Sequence, residues 1–248
     1  MATLETTMGG NREGFPETVW SSVLSPGNVG ASQREQAMNR LFSLYWRPVY
    51  KFIRTAGGRS IEDAKDLTQE FFGYLLEGDI VTKFEGEKGR FRTFLKGVLR
   101  NFLSESHRNA SRLKRGGGKA VVALDAEAIE RGGFPAEREQ YQPEQIFDRQ
   151  WAAEVLSQSL SELRAQLTAE GKPEYLKVYE AYYGLSGLVE GRATYSRIAG
   201  LLGLTEQNVK NYLEATRTRF EEIVRSKLMQ GVTSMEELSE EIDALLSR

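Results

Sequence analysis

The chain contains no cysteine and a single histidine, His107. Without cysteine there are no disulfides, no thiol catalysis and no cysteine-ligated zinc or iron–sulfur centre. One histidine makes a histidine-rich metal site or an ordinary Ser-His-Asp triad a poor expectation. No apolar run reaches the roughly 18 residues of a membrane-spanning helix. The first residues, MATLETTMGGNREGFPE, lack the basic-then-apolar order of a secretory signal. No stretch shows convincing strand alternation. GGGK near position 116 is not a P-loop, because the GxxxxGK[ST] spacing and a preceding strand are both missing. These absences argue against an enzyme, a membrane protein and a secreted scaffold, and they fit a reducing cytoplasm.

What is present is an uneven distribution of charge. The 248 residues carry a net −2, which by itself argues against a simple polyanion binder. Residues 81–119 nevertheless hold eleven Lys/Arg against three acids, whereas residues 61–80 hold six acids and one Lys. Residues 120–170 are net −6, residues 192–228 net +3, and the last twenty net −4. Two basic islands in an acidic chain point to two places that meet phosphate, with other surfaces serving another partner.

The apolar pattern is helical throughout, so the expected class is all-α. From Ser32, residues Ala37, Leu41, Leu44, Tyr45, Val49, Phe52 and Ile53 recur at three- and four-residue steps. Pro48 falls inside this run and is expected to interrupt or kink it. AGGRS breaks the pattern, and Ser60 is the expected N-cap of the next helix. In that helix Ile61, Ala64, Leu67, Phe71, Phe72 and Leu75 share one arc. Glu62, Asp63, Asp66, Gln69, Glu70 and Glu77 share the other. After TKFEGEKG comes FRTFLKGVLRNFLSESHRNASRLKR. Its expected buried stripe is Phe91, Phe94, Leu95, Val98, Leu99, Phe102 and Leu103. Arg92, Lys96 and Arg100 are expected to form an exposed row at i, i+4 spacing, extended by His107, Arg108 and Arg112.

A second helical block begins near Phe147 and Trp151. Within it, TYSRIAGLLGLTEQNVKNYLEATRTRF has the residue types of a helix-turn-helix. Ala199 is small where two helices would cross, and Gly203 can take the left-handed conformation of a tight turn. Thr205 is placed to cap the second helix, and Val209 to pack it back on the first. The second helix would then read DNA. Gln207, Asn208 and Asn211 suit adenine, and Lys210, Arg217 and Arg219 suit guanine or phosphate, with Glu206 and Glu214 alongside. The tail, TSMEELSEEIDALLSR, has the pattern of one more short acidic amphipathic helix.

Taken together, LFSLYWRPVYKFIR, IEDAKDLTQEFFGYLL and FRTFLKGVLRNFLSESHR resemble, in order and spacing, the sigma-two domain of bacterial RNA polymerase sigma factors of the extracytoplasmic-function group. The block ending in the helix-turn-helix resembles their sigma-four domain. The resemblance implies two small helical domains joined by a flexible linker. The expected boundaries are an N-terminal extension over 1–31, a sigma-two-like domain over 32–115 and a linker over 116–150. A sigma-four-like domain over 151–227 and an acidic extension over 228–248 follow. It implies a cytoplasmic protein without cofactor or metal, whose partners are core RNA polymerase and promoter DNA.

The resemblance also implies residue roles. Asp63, Asp66, Gln69 and Glu70 would dock on the clamp of the largest polymerase subunit. Arg92, Lys96, Arg100, Asn101, Arg108 and Arg112 would capture the minus-ten element. Opening DNA also needs a stacking surface for an extruded base. Phe91 and Phe94 are the candidates, although their place on the buried stripe favours core packing. Glu206, Gln207, Asn208, Lys210, Asn211, Arg217 and Arg219 would read the minus-thirty-five element. The front extension, with FPETVW as a docked element, and the acidic tail depart from the compact members of the group. The tail is expected to cover a basic or apolar surface of the second domain. Control by an anti-sigma partner and self-inhibition by the extensions are both open. The rival readings are a stand-alone helix-turn-helix regulator and a sigma-like protein that holds polymerase without initiating.

Overall fold

The computed structural model describes residues 31–56, 58–77, 80, 90–109, 142–188, 193–232 and 234–246. Among these the regular structure is helical, as expected. The helices are α1 (Ala31–Ala56), α2 (Ile61–Glu77), α3 (Phe91–Asn109), α4 (Pro143–Ala169), α5 (Pro173–Tyr182), α6 (Tyr195–Leu202), α7 (Glu206–Met229) and α8 (Met235–Leu246). The FPETVW element, most of the linker and Arg112 lie outside the described residues.

Local signals act where the sequence places them. Ser60 caps α2: its Oγ accepts from the Asp63 amide at 3.0 Å, and its hydroxyl donates to Asp63 Oδ2 at 2.8 Å. That exchange satisfies an amide that the first helical turn leaves without a partner. Pro48 lies within α1, which continues through it to Ala56. Ala64, Leu67, Phe71, Phe72 and Leu75 of α2 are buried as the wheel expects, whereas Ile61 at the helix start is exposed.

The buried side chains form two clusters. The first joins α1, α2 and α3 with Phe147, Trp151, Ala152 and Val155 of α4, Val224 and Leu228 of α7, and Leu238 of α8. The second joins Leu163 and Leu167 of α4 with α5, α6 and Val209, Leu213 and Ile223 of α7. Both α4 and α7 therefore contribute to both clusters. Residues 143–150, expected as the end of a linker, form the first turns of α4, and the expected boundary at 151 falls inside that helix. The reason is apolar: Ile146 and Phe147 are 4% and 0% exposed. A fully buried side chain of this kind contributes on the order of 1.5–3 kcal/mol. Phe147 stacks on Tyr45 and meets Phe52 edge-on, both from α1.

The tail helix forms where expected, capped by Ser234, whose Oγ accepts from the Glu237 amide at 3.1 Å. It packs on the C-terminal part of α7 and also reaches α3. Its cover therefore extends beyond the second block, to the first basic island.

Candidate functional site

Three surfaces carry the residues singled out by sequence. The first is the outer face of α2. Asp63, Asp66 and Glu70 are exposed and Gln69 is partly exposed. Asp63 is half engaged, because one of its carboxylate oxygens accepts the Ser60 hydroxyl. Asp66 and Glu70, one turn apart, are held on a helix whose opposite side is fixed by Phe71 and Phe72, both 0% exposed. A rigid acidic stripe of this kind repels DNA phosphate and suits a basic protein surface.

The second surface is the helix-turn-helix. Thr194 caps α6, accepting from the Arg197 amide at 3.3 Å. Gly203 ends α6 in the left-handed conformation, with φ of 67°. Thr205 then caps α7, its Oγ accepting from the Asn208 amide at 3.1 Å. Ile198, Ala199, Val209 and Leu213 lock the two helices together. The first turns of α7 present Glu206, Gln207, Lys210 and Asn211 outward, with Asn208 partly exposed. The Gln207 amide donates to Asn211 Oδ1 at 2.8 Å, which orients two amide side chains as one unit. Lys210 stands 3.9 Å from Glu214.

Further along α7 the expected DNA contacts are already occupied. Arg217 Nε donates to the Tyr183 hydroxyl at 2.9 Å, and its guanidinium lies over the Tyr182 ring at 4.9 Å. Arg219 donates to Glu170 Oε1 at 2.6 Å. Lys172 and Arg219 together pull the Glu170 carboxyl below its ordinary range. These two arginines join α7 to Tyr183 and Glu170, so of the expected DNA contacts on α7 the exposed ones lie in its first two turns.

The third surface, the basic face of α3, differs most from expectation. Arg92 is 5% exposed, not part of an exposed row. Its Nη1 donates to Asp148 Oδ1 of α4 at 2.8 Å, and its Nε donates to Glu241 Oε1 of α8 at 3.3 Å. Nη2 lies 2.9 Å from Glu241 Oε2, and the guanidinium sits 4.2 Å over the Trp151 ring. Lys96 donates to both oxygens of Asp148, at 3.0 and 3.1 Å. Arg90, just before the helix, is 3.6 Å from Glu240 and 3.6 Å from Glu241. Its neighbour Phe91 donates its amide to the Gly231 carbonyl at 3.2 Å, tying α3 to the α7–α8 turn.

Arg100 remains exposed, with a long 3.8 Å approach to Glu144, and Asn101 is exposed beside it. Arg108 belongs to the last turn of α3, but its side chain is outside the described part, as is that of His107. Phe91 is 0% exposed and offers no stacking surface, whereas Phe94 is only partly buried against the core. Sequence reasoning missed Arg90, Asp148, Trp151 and Glu241 as a cluster. Its one advance signal was the net −4 of the last twenty residues.

Among the described residues there is no grouping of three or more acidic or histidine side chains fit to hold a metal. No helix there is long and apolar enough to cross a membrane. The class defined by these features is an all-α chain with a helix-turn-helix, an exposed acidic helix face and a buried ion-pair cluster. No known family pattern, curated protein or solved structure matches the chain.

Proposed function

We propose that this protein is a sigma factor: it binds core RNA polymerase through α2, engages promoter DNA through α3 and α7, and directs transcription initiation. The observation that carries this reading is the acidic face of Asp66 and Glu70, exposed on a helix anchored by Phe71 and Phe72. The reading as a stand-alone regulator leaves this face without a role, and its charge repels phosphate. The first turns of α7, with Gln207, Asn208, Lys210 and Asn211, suit major-groove reading of the minus-thirty-five element. Arg100 and Asn101 are the exposed part of the minus-ten face. In this reading the chain acts in the cytoplasm and has no catalytic residue of its own.

A second reading is a polymerase-binding protein that does not initiate. It is favoured by one observation: Asp148 and Glu241 neutralise Arg92 and Lys96, two of the residues expected to meet DNA. Transcription with core polymerase and a fork-junction promoter library separates the two. Specific transcripts support a sigma factor. Polymerase binding without transcripts supports the second reading. Duplex binding without polymerase would replace both with a stand-alone regulator.

A further inference from the structure

The contact between α3 and α8 gives the tail helix a job that the sigma reading does not. Three acidic groups from distant parts of the chain converge on three basic groups at the start of α3. Asp148 comes from α4, and Glu240 and Glu241 come from α8. They meet Arg90, Arg92 and Lys96 at distances between 2.8 and 3.6 Å. Carboxylate oxygens at these distances from guanidinium and ammonium groups occupy the positions that phosphate oxygens would take. An arginine that is 5% exposed and carries two carboxylates has no donor to offer nucleic acid while α8 is docked.

We propose that α8 is an autoinhibitory latch: Glu240 and Glu241, with Asp148 of α4, stand in for nucleic-acid phosphates on α3, and α8 must leave before that face can bind. Leu238 seats the latch, buried at 1% exposure in the same cluster as Phe91 and Phe147. The Phe91 amide, donating to Gly231, fixes the hinge end. Neither contact is needed to complete the helix-turn-helix, whose own core is the second cluster. Phosphate and the tail compete for Arg90 and Arg92, so docking of α8 and binding of phosphate at these two residues are mutually exclusive. Measured affinity for nucleic acid then equals the affinity of the open form multiplied by the fraction open.

The inference rests on reading α3 as a nucleic-acid face, and its test separates it from the sigma assignment. The chain has no cysteine, so Arg90→Cys with Glu240→Cys places the only two thiols across the latch. A short bis-maleimide then locks α8 onto α3 in the full-length protein. The probe is a labelled mixed-sequence single-stranded oligodeoxynucleotide at low salt. The locked form should bind at least about tenfold more weakly than the same protein before cross-linking, because its open fraction falls to zero. Equal affinities, or no binding by either form, overturn the latch.

A charge control runs beside it. Asp148→Asn with Glu241→Gln should tighten binding. Glu236→Gln with Asp243→Asn, an equal charge change at exposed positions of α8, should not. Equal gains from the two pairs would likewise overturn the proposal. Capture of core polymerase by the locked and unlocked forms is measured separately. A latch effect on DNA without polymerase binding leaves the latch standing and removes the sigma assignment.

Discussion

Arg92 and Glu241, 149 positions apart in the chain, meet as a buried ion pair with Nη2 and Oε2 separated by 2.9 Å. The pair joins the first basic island to the acidic tail. Removing Arg92 leaves buried Glu241 with only the longer 3.6 Å approach of Arg90, and this is costlier than replacing both partners with apolar groups. Arg92→Ala should therefore destabilise the fold by about 3–5 kcal/mol. Arg100→Ala, at an exposed position on the same helix, should stay within about 0.5 kcal/mol. Urea denaturation of the two variants checks the contrast, and similar midpoints would show that Arg92 is not held as described.

The α2 face yields a prediction about binding without a change in stability. Asp66→Arg with Glu70→Arg reverses two exposed charges and leaves the buried arc of α2 untouched. The variant should keep its thermal midpoint and lose capture by core polymerase. Wild-type capture by a folded variant would remove α2 as the docking surface.

Two glycines sit at the C-terminal end of α6, Gly200 inside the helix and Gly203 as its C-cap. Gly203 has φ of 67°, and a Cβ there would meet no atom within 4 Å. The cost of Gly203→Ala is thus conformational alone, roughly 1–2 kcal/mol. Gly200 lies inside α6 and is equally unobstructed. Gly200→Ala should stabilise by roughly 0.5–1 kcal/mol, because alanine loses less backbone freedom on folding. Thermal denaturation should move the two variants in opposite directions.

The Glu241 carboxyl adds a pH dependence. Burial holds it above the ordinary carboxylate range, against the pull of Arg92 and Arg90. The groups facing it are Arg90 just before α3, Arg92 from α3, Asp148 from α4 and Tyr45 from α1. A raised value means that the folded state binds the proton more readily than the unfolded state. Its contribution to stability therefore grows as pH falls through the raised value and is lost as pH rises above it. As pH falls from neutrality toward the ordinary carboxylate range the wild type should gain stability relative to Glu241→Gln. A constant difference between the two across that range would contradict the assignment.

On α7, DNA affinity should depend on the first turns more than on the middle. Lys210→Ala should weaken duplex binding and reduce its salt dependence, as expected for a lost phosphate contact. Arg217→Ala should act mainly on stability, because it removes the link to Tyr182 and Tyr183. Binding isotherms at two salt concentrations, read beside the melting curves, separate these effects.

Much of the fold was legible because its determinants are local. Ser60, Thr205 and Gly203 act on amides and dihedrals within a few residues of themselves, and all three behave as their chemistry requires. The two-faced pattern of α2 was legible for the same reason, since one helix face meets one core. The wheel failed on α3 because it assumes a single packing partner. Phe91 and Leu95 are buried as expected, but Arg92, on another arc, is covered by α4 and α8. The middle of α7 holds pairings that spacing did not show: Arg217 and Arg219 are spaced as a DNA face, and they pair with Tyr183 and Glu170.

By itself the sequence determined the helical class, the turn at Gly203, the acidic face of α2 and the acidic character of the tail. Periodicity, capping and net charge are properties of short stretches and survive without tertiary context. Only the tertiary structure decided which charges are available. Whether Arg92 is a donor to solvent or a buried counter-ion depends on Asp148 and Glu241, brought to it from 56 and 149 positions away. Ion pairing acts through distance in space, which a local sequence pattern does not record.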